Sequence, residues 1–351
     1  MLKTLKIKDR SIGEGSPCFI IAEAGVNHNG ELDKALKMVD VAAKCGADVV
    51  KFQTFQPEDV VLEKGEMTDY QKKNLGKVTS QLEMIKALWL NEAYYPKIIE
   101  RCEEKGIIFM STPHGGRKSV EFLESLDVSA YKIGSGDLTN YILLKKVAET
   151  GKPIILSSGM ATLGEVKDAV NFLISKGCNQ IAVLHATTNY PCPPEEVNLL
   201  AMKTMMDKLD TVVGFSDHTN TDTAAIVAAG LGMAIYECHF TLDKNLEGPD
   251  HKASVEPNEL RKRIQLIKDA ETVLGSPEKK PNLSELSMKQ IVRRSLVLVN
   301  DLSKGYVLKE EDLEAKRPAD STSPREYEKF LGKKLNKALK KDYQIKLADI
   351  E

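Results

Sequence analysis

No C-x-x-C pair occurs anywhere in the 351 residues, and the six cysteines (Cys18, Cys45, Cys102, Cys178, Cys192 and Cys238) are too sparse to staple a chain of this length. They read as reduced thiols of a cytosolic protein. Basic residues are not in excess: 49 Lys and Arg stand against 51 Asp and Glu, a formal net charge of −2. That balance gives no argument for a nucleic-acid partner. The N-terminus, MLKTLKIKDRSIGEG, is charged throughout and lacks the apolar core of a signal peptide. The longest apolar run, Ala224 to Tyr236, spans 13 residues and is broken by Gly230 and Gly232. A membrane helix needs roughly 18. Neither a G-x-G-x-x-G fingerprint nor a P-loop is present. The expectation is a cytoplasmic protein with no membrane and no nucleic-acid partner.

What is present is a repeated plan. With 42% apolar and 28% charged residues, the chain has ample material for a core. From Cys18 to Phe240 a short apolar run, a polar or glycine-containing tip and a longer helical segment alternate. The strand-like runs cover 18–25, 48–54, 107–113, 130–136, 153–159, 181–188, 212–218 and 234–240. Between the first two, Leu32, Leu36, Val39 and Ala43 recur at helical steps. Gly46, Gly106, Gly151 and Gly177 follow helical segments, as left-handed caps would. Eight such units fit a closed parallel (β/α)8 TIM barrel better than an open doubly wound sheet. The second connection, 55–90, is longer than the others. It has loop signals at Gly65 and Gly76 and carries the single tryptophan, Trp89, and it reads as a lid, a substrate loop or surface padding.

The expected boundaries are a barrel over 1–275, a linker rich in Pro, Ser and Lys over 276–287, and a small domain over 288–351. In that tail, LSKGYVLKEEDLE (302–314) and LKKDYQIKLADIE (339–351) share six identities in 13 positions at an offset of 37. The echo predicts a pseudo-symmetric module of short strands and turns.

In a barrel the C-terminal strand ends converge on one face, and here those ends are polar. Glu23 ends the first strand, and Lys51 and Gln53 share a face of the second. Lys132 and Ser135 lie in the fourth and its tip, Ser157 and Ser158 at the fifth, and Thr187, Thr188, Asn189 and Tyr190 at the sixth. His218 ends the seventh. In the eighth, period-2 geometry puts Glu237 and His239 on one face, with Asp250 just beyond. Either histidine alone is ordinarily a satisfied strand-end residue; together, near a carboxylate, they suggest a metal or proton-transfer site. A lysine inside a buried strand is costly unless an opposite charge receives it. Lys51 and Lys132 therefore read as partners of Glu23 or Glu237, as the cations of an anion pocket, or as a Schiff-base lysine. His28 and His114 lie in loops of the same face, whereas His185 reads as a packed core histidine and His251 faces elsewhere.

The series IAEAGVNHNG (21–30), ADVVKFQT (47–54), MSTP (110–113), YKIGSGDLTN (131–140), SSGMATL (157–163), TTNYPCPPEEVNL (187–199), GFSDHT (214–219) and ECHFTLDKNLEGPDHKAS (237–254) resembles the sialic acid synthase family, which includes N-acetylneuraminate, legionaminic acid and pseudaminic acid synthases. The tail from Arg293 resembles that family's antifreeze-like (SAF) C-terminal domain. The resemblance implies condensation of phosphoenolpyruvate with open-chain N-acetylmannosamine or a close analogue, giving a nonulosonic acid and phosphate.

By the same resemblance His218 and His239 bind a divalent metal, Mn2+ or Mg2+. Lys51, Lys132, Ser135 and Ser157 hold phosphoenolpyruvate, with Thr188 beside them on the phosphate side. Gln53, Thr112, Tyr190 and Asp250 lie along the sugar, and Glu23 and Glu237 supply carboxylates near the reacting carbons. Arg317 enters the neighbouring subunit's site, in a homodimer with exchanged C-terminal domains. Three positions depart from the family pattern. His114 stands where many members have Phe, Thr188 where some have Asn, and KRPADSTSP where KRPG-x-G is frequent. The competing expectations are a synthase for legionaminic or pseudaminic acid, a 3-deoxyheptulosonate-type synthase acting on a sugar phosphate, and a non-catalytic carbohydrate- or ice-binding protein.

Overall fold

The computed structural model describes residues 3–75 and 80–351, with every side chain among these except those of Asp69, Tyr70 and Lys73. The chain divides into two compact units, Met1–Gly275 and Ser276–Glu351.

All eight expected strands form, at Phe19–Gly25 (β3), Val49–Thr54 (β4), Ile108–Pro113 (β5), Tyr131–Ile133 (β6), Ile154–Ser157 (β7), Ile181–Ala186 (β8), Val212–Asp217 (β9) and Ile235–His239 (β10). They close as a parallel barrel in the order β10-β3-β4-β5-β6-β7-β8-β9. The fourth is shorter than the expected 130–136, because after Gly134 the chain turns into a 3-10 segment, Ser135–Asp137. Two preceding strands, Thr4–Ile7 (β1) and Arg10–Gly13 (β2), make an antiparallel hairpin that the charged N-terminal sequence did not announce. Its apolar side, Leu5, Ile7 and Ile12, joins the inward residues Phe19, Ile21, Val49, Met110, Ile155 and Leu184 and plugs the N-terminal end of the barrel.

Outward strand residues such as Ile20, Val50, Phe109, Tyr131, Val183 and Tyr236 pack under the helical ring. In the helix Leu32–Cys45 (α1) the buried face is Ala35, Met38, Val39, Ala42 and Cys45. Leu32, Leu36 and Ala43 only flank the core. The expected stripe is thus rotated by about one residue, within the width of an apolar helical face. Gly46 and Gly106 cap their helices in the left-handed region, at φ 89° and 65°. Gly151 and Gly177 take positive φ just past their helix ends.

The long second connection folds into three helices, Pro57–Val60 (α2), Asp69–Leu75 (α3) and Gln81–Leu88 (α4), the last opened by a capping box between Ser80 and Glu83. Trp89 is the residue that ends α4, in extended backbone. Gly76 falls outside the described residues. Val26, Phe55, Met67, Met84 and Leu88 form a separate apolar cluster under this insertion. Asn74 donates to the Pro249 carbonyl at 2.6 Å, which ties α3 to the segment after β10.

In the second unit the linker expected over 276–287 is shorter. A helix runs from Leu283 to Val292, because Asn282 and Glu285 make a reciprocal capping box that starts it. Beyond it, Ser295–Leu298 (β11) pairs antiparallel with Leu313–Lys316 (β12). The 37-residue echo is a true pseudo-twofold. The Leu298 to Leu313 pair maps onto the Leu335 to Ile350 bridge, and Val297 to Gln344 maps onto Lys334 to Val307. Leu302 and Leu339, equivalent to each other, exchange backbone hydrogen bonds of 2.8 and 2.9 Å. Buried Asp312 and Asp349 accept from the amides of Lys309 and Lys346, each at 2.9 Å. Asp312→Ala and Asp349→Ala are each expected to destabilise this unit by about 1–2 kcal/mol, the cost of losing a side-chain cap to a backbone amide, as read by denaturant unfolding of the full chain. Loss from only one of the two would contradict their equivalence. Among the described residues no helix is long and apolar enough to cross a membrane.

Candidate active site at the C-terminal end of the barrel

Period-2 alternation continues along the inward face, but its chemistry changes half-way up. Below lie the apolar residues of the plugged interior; above them the same faces present Glu23, Lys51, Gln53, Thr112, Lys132, Ser157, Ser216, Glu237 and His239. Register aligns them: His239 stands opposite Glu23, Glu23 opposite Lys51, and Ser216 opposite Glu237. A pocket of about 440 Å3 opens over this layer. Its walls gather Glu23, Lys51, Gln53, Thr112, Lys132, Ser135, Ser157, Thr188, Tyr190, His218, Glu237, His239 and Asp250, residues the sequence placed on all eight strands and their loops.

The charges form one buried network. Lys51 lies 2.7 Å from Glu23 and 3.6 Å from Glu237, and Lys132 lies 3.4 Å from Glu237. Gln53 donates to Glu23 at 3.1 Å, Ser216 to Glu237 at 2.9 Å and Lys132 to Ser157 at 2.6 Å. The two glutamates titrate in opposite directions although both are buried. For Glu237 burial is outweighed by Lys132 and Lys51, with Ser216 assisting, and its pKa falls to about 2. For Glu23 burial prevails over one lysine, the charge of Glu237 adds to it, and its pKa rises. Burial likewise pushes Lys132 down to about 8, since Glu237 only partly compensates. Lys51, between two carboxylates, is raised despite burial. Burial, with Glu23 nearby, lifts Asp250 to about 7, so near neutrality its carboxyl can donate as well as accept. The ion-pair expectation for the lysines is therefore met, and both amines still face the pocket.

Below the tip of β7, Gly159 donates its amide to Ser135 at 3.0 Å. A Cβ there would collide with the hydroxyls of Thr188 and Ser135, so only glycine lets these donors converge beside Lys132.

His218 and His239 stand with ring centroids 5.6 Å apart, and Tyr190 lies 4.2 Å from the first and 5.6 Å from the second. Burial holds both near pKa 4, hence neutral. The Nδ1 of His218 lies 2.6 Å from the Thr187 carbonyl, which fixes the proton there and leaves Nε2 as a lone-pair donor. The Nδ1 of His239 is buried without a hydrogen-bond partner. A neutral imidazole pair with an orphaned buried nitrogen fits a divalent cation. No group of three His, Cys, Asp or Glu with metal-binding geometry occurs among the described residues, so water or substrate oxygens would complete the coordination.

The remaining histidines separate. His114 lines the pocket near Gly134, its Nδ1 3.8 Å from Asp137. His28 is buried, with Nδ1 accepting from Gly30, and His185 contacts the Val197 carbonyl at 2.7 Å. His251 is held between Thr241 and Asn29. Ser158 turns away to the Leu184 carbonyl. Arg317 belongs to the other unit and is exposed on it. Sequence reading passed over Ser216, although alternation with Gly214 in VVGFSDH puts it on the inward face. It also passed over the insertion residues that line the pocket, whose signal was only an unusual length.

Residues 38–279 match the NeuB family and residues 293–351 the SAF domain. The chain belongs to the NeuB family. Among its relatives is the N,N'-diacetyllegionaminic acid synthase of Campylobacter jejuni, 44% identical over 330 residues, 93% of this chain and 98% of that protein. The human N-acetylneuraminate-9-phosphate synthase is 35% identical over 302 residues, 85% of this chain and 83% of that one. The crystal structure of the N-acetylneuraminic acid (sialic acid) synthetase of Leptospira borgpetersenii in complex with citrate superposes with a TM-score of 0.72. It is 30% identical and covers 82% of this chain and 95% of its own. This NeuB-family chain thus has the barrel and SAF architecture expected from its motifs.

Proposed function

We propose that the chain condenses phosphoenolpyruvate with an open-chain 2-acetamido sugar of the legionaminic type, giving a nonulosonic acid and inorganic phosphate. The observation that carries this is the joining, through buried Glu237, of an anion-binding side at Lys51, Lys132, Ser135 and Ser157 to a neutral histidine pair within one pocket. Greater identity to the diacetyllegionaminic acid synthase than to the N-acetylneuraminate-9-phosphate synthase supports the legionaminic reading over the N-acetylneuraminate one.

In this reading the lysines and hydroxyls balance the carboxylate and phosphate of phosphoenolpyruvate. Gln53, Thr112, Tyr190 and Asp250 orient the sugar so that its aldehyde carbon faces C3 of the enol. Carbon–carbon bond formation leaves positive charge at C2, which the buried carboxylates stabilise. Glu23 positions a water for C2 and takes its proton, for which its raised pKa suits it. Cleavage of the bond from C2 to the phosphate oxygen then yields the 2-keto acid. His218 and His239 would hold Mn2+ or Mg2+, which when bound supplies Lewis-acid polarisation of the aldehyde oxygen. Arg317 would reach the sugar of a partner subunit, in a homodimer with exchanged C-terminal domains.

The test is phosphate release from phosphoenolpyruvate with N-acetylmannosamine and with 2,4-diacetamido-2,4,6-trideoxymannose, before and after chelation. Sugar-dependent release is expected, falling by about tenfold or more on chelation and returning with Mn2+ or Mg2+. No release with either sugar would refute the reading. Full activity after complete metal removal would end the metal role of the histidines.

A further inference from the structure

The insertion after β4 carries eleven charged residues over 55–90, yet none of the described ones lines the pocket. The described insertion residues that line it are the apolar Phe55, Val60, Met84, Ile85 and Leu88, with the neutral polar Thr68, Gln71 and Gln81. In the barrel order β3 and β4 lie across from β7 and β8, so this wall faces the Ser157 and Thr188 side from the far edge of the pocket. Asp250 and Gln53 line the same pocket, and the bond from Asn74 to the Pro249 carbonyl holds the insertion beside the residue that precedes Asp250. Neither pocket lysine is free to serve this edge: Lys51 is held by Glu23 and Glu237, and Lys132 by Glu237 and Ser157.

We infer that this inner face is the specificity device for the end of the sugar remote from the aldehyde. It selects an uncharged end bearing methyl groups and an amide, and it rejects a phosphorylated one. The inference rests on the function proposed above and names the substrate class for it. A sugar whose aldehyde reacts near His218 and His239 must extend its other end past Gln53 and Asp250, toward the insertion. There a second acetamido group would meet glutamine amides, and its methyl and a deoxy carbon would meet Val60, Met84, Ile85 and Leu88. A phosphate ester would bury charge against apolar carbon, with no cation among the described insertion residues that line the pocket, which is strongly disfavoured. A pocket tells one methyl-sized difference apart by roughly ten- to two-hundred-fold, so two such groups give ample discrimination.

The experiment measures kcat/KM by phosphate release for 2,4-diacetamido-2,4,6-trideoxymannose, N-acetylmannosamine and N-acetylmannosamine 6-phosphate, in the wild-type full chain and in Ile85→Lys. Val60→Lys serves as the second variant if the first does not fold, both positions being half-buried. In the wild type the diacetamido sugar is expected to exceed N-acetylmannosamine by about tenfold or more, with the 6-phosphate poorest. The lysine variant should narrow the gap between the diacetamido sugar and the 6-phosphate by about tenfold or more while KM for phosphoenolpyruvate stays unchanged. Equal use of the three sugars, or a gap that either folded variant leaves intact, overturns the assignment of the wall while the condensation stands. Absence of phosphate release with every sugar overturns the condensation itself.

Discussion

Glu23→Gln is expected to lower kcat by about a thousand-fold, within the range of a lost general base, while the protein stays folded and still binds phosphoenolpyruvate. The amide is nearly isosteric and can still accept from Gln53, which donates to Glu23 at 3.1 Å. Lys51 loses its 2.7 Å partner but keeps Glu237 at 3.6 Å, so no buried charge is left unpaired. The sign of the pH linkage supports a folded variant. Burial raises the pKa of Glu23, so the folded state binds its proton more tightly than the unfolded one. Stability is therefore lost as pH rises from the ordinary carboxylate range through the raised value, and removing the group removes that cost. The checks are single-turnover phosphate release and a thermal melt. Full turnover with an unchanged melt would transfer the role of base elsewhere.

Lys132→Met should cost about a hundred- to a thousand-fold in kcat/KM for phosphoenolpyruvate, as expected for losing a charge-assisted anchor to a buried anion. The amine is 2.6 Å from Ser157 and 3.4 Å from Glu237, and methionine matches its stem but carries no charge. Glu237 retains Lys51 and the Ser216 hydroxyl, but its pKa should climb from about 2 because the first of its two lysines is gone. The wild type carries a matching pH signature. The pKa of Lys132 is about 8, so binding of phosphoenolpyruvate should weaken as pH rises through that value and the amine loses its charge. The variant should lack that inflection. A pH profile of kcat/KM for both proteins settles it, and an inflection persisting in the methionine variant would belong to another group.

The two lysines show how far sequence reading could go. An amine inside a valine-rich strand must find a carboxylate, and both predicted partners, Glu23 and Glu237, are the ones used. Which glutamate would be acid-stable and which raised was not legible, because it depends on how many lysines each one meets. Glu237 meets two and Glu23 one. Ser216 and the Gly159 amide escaped notice for a related reason. Neither residue type signals chemistry alone, and both matter through one neighbour brought close by the fold.

The insertion marks the same boundary from the other side. Its length was evident, but that only neutral residues among its described ones line the pocket was not, since three short helices have no long period to read. The hairpin Thr4–Gly13 was missed because its alternation covers only four residues per strand and runs through charge.

By itself the sequence determined the eight-unit barrel, the duplicated tail and most of the strand-end residues that ring the pocket. These are local patterns of period 2, period 3.6 and offset 37, each written in consecutive residues. Only the tertiary structure decided the directions of the glutamate and lysine pKa shifts, the neutral histidine pair with its orphaned nitrogen, and which described residues of the insertion line the pocket. Those properties are sums over neighbours from different strands, and such sums exist only once the barrel has closed.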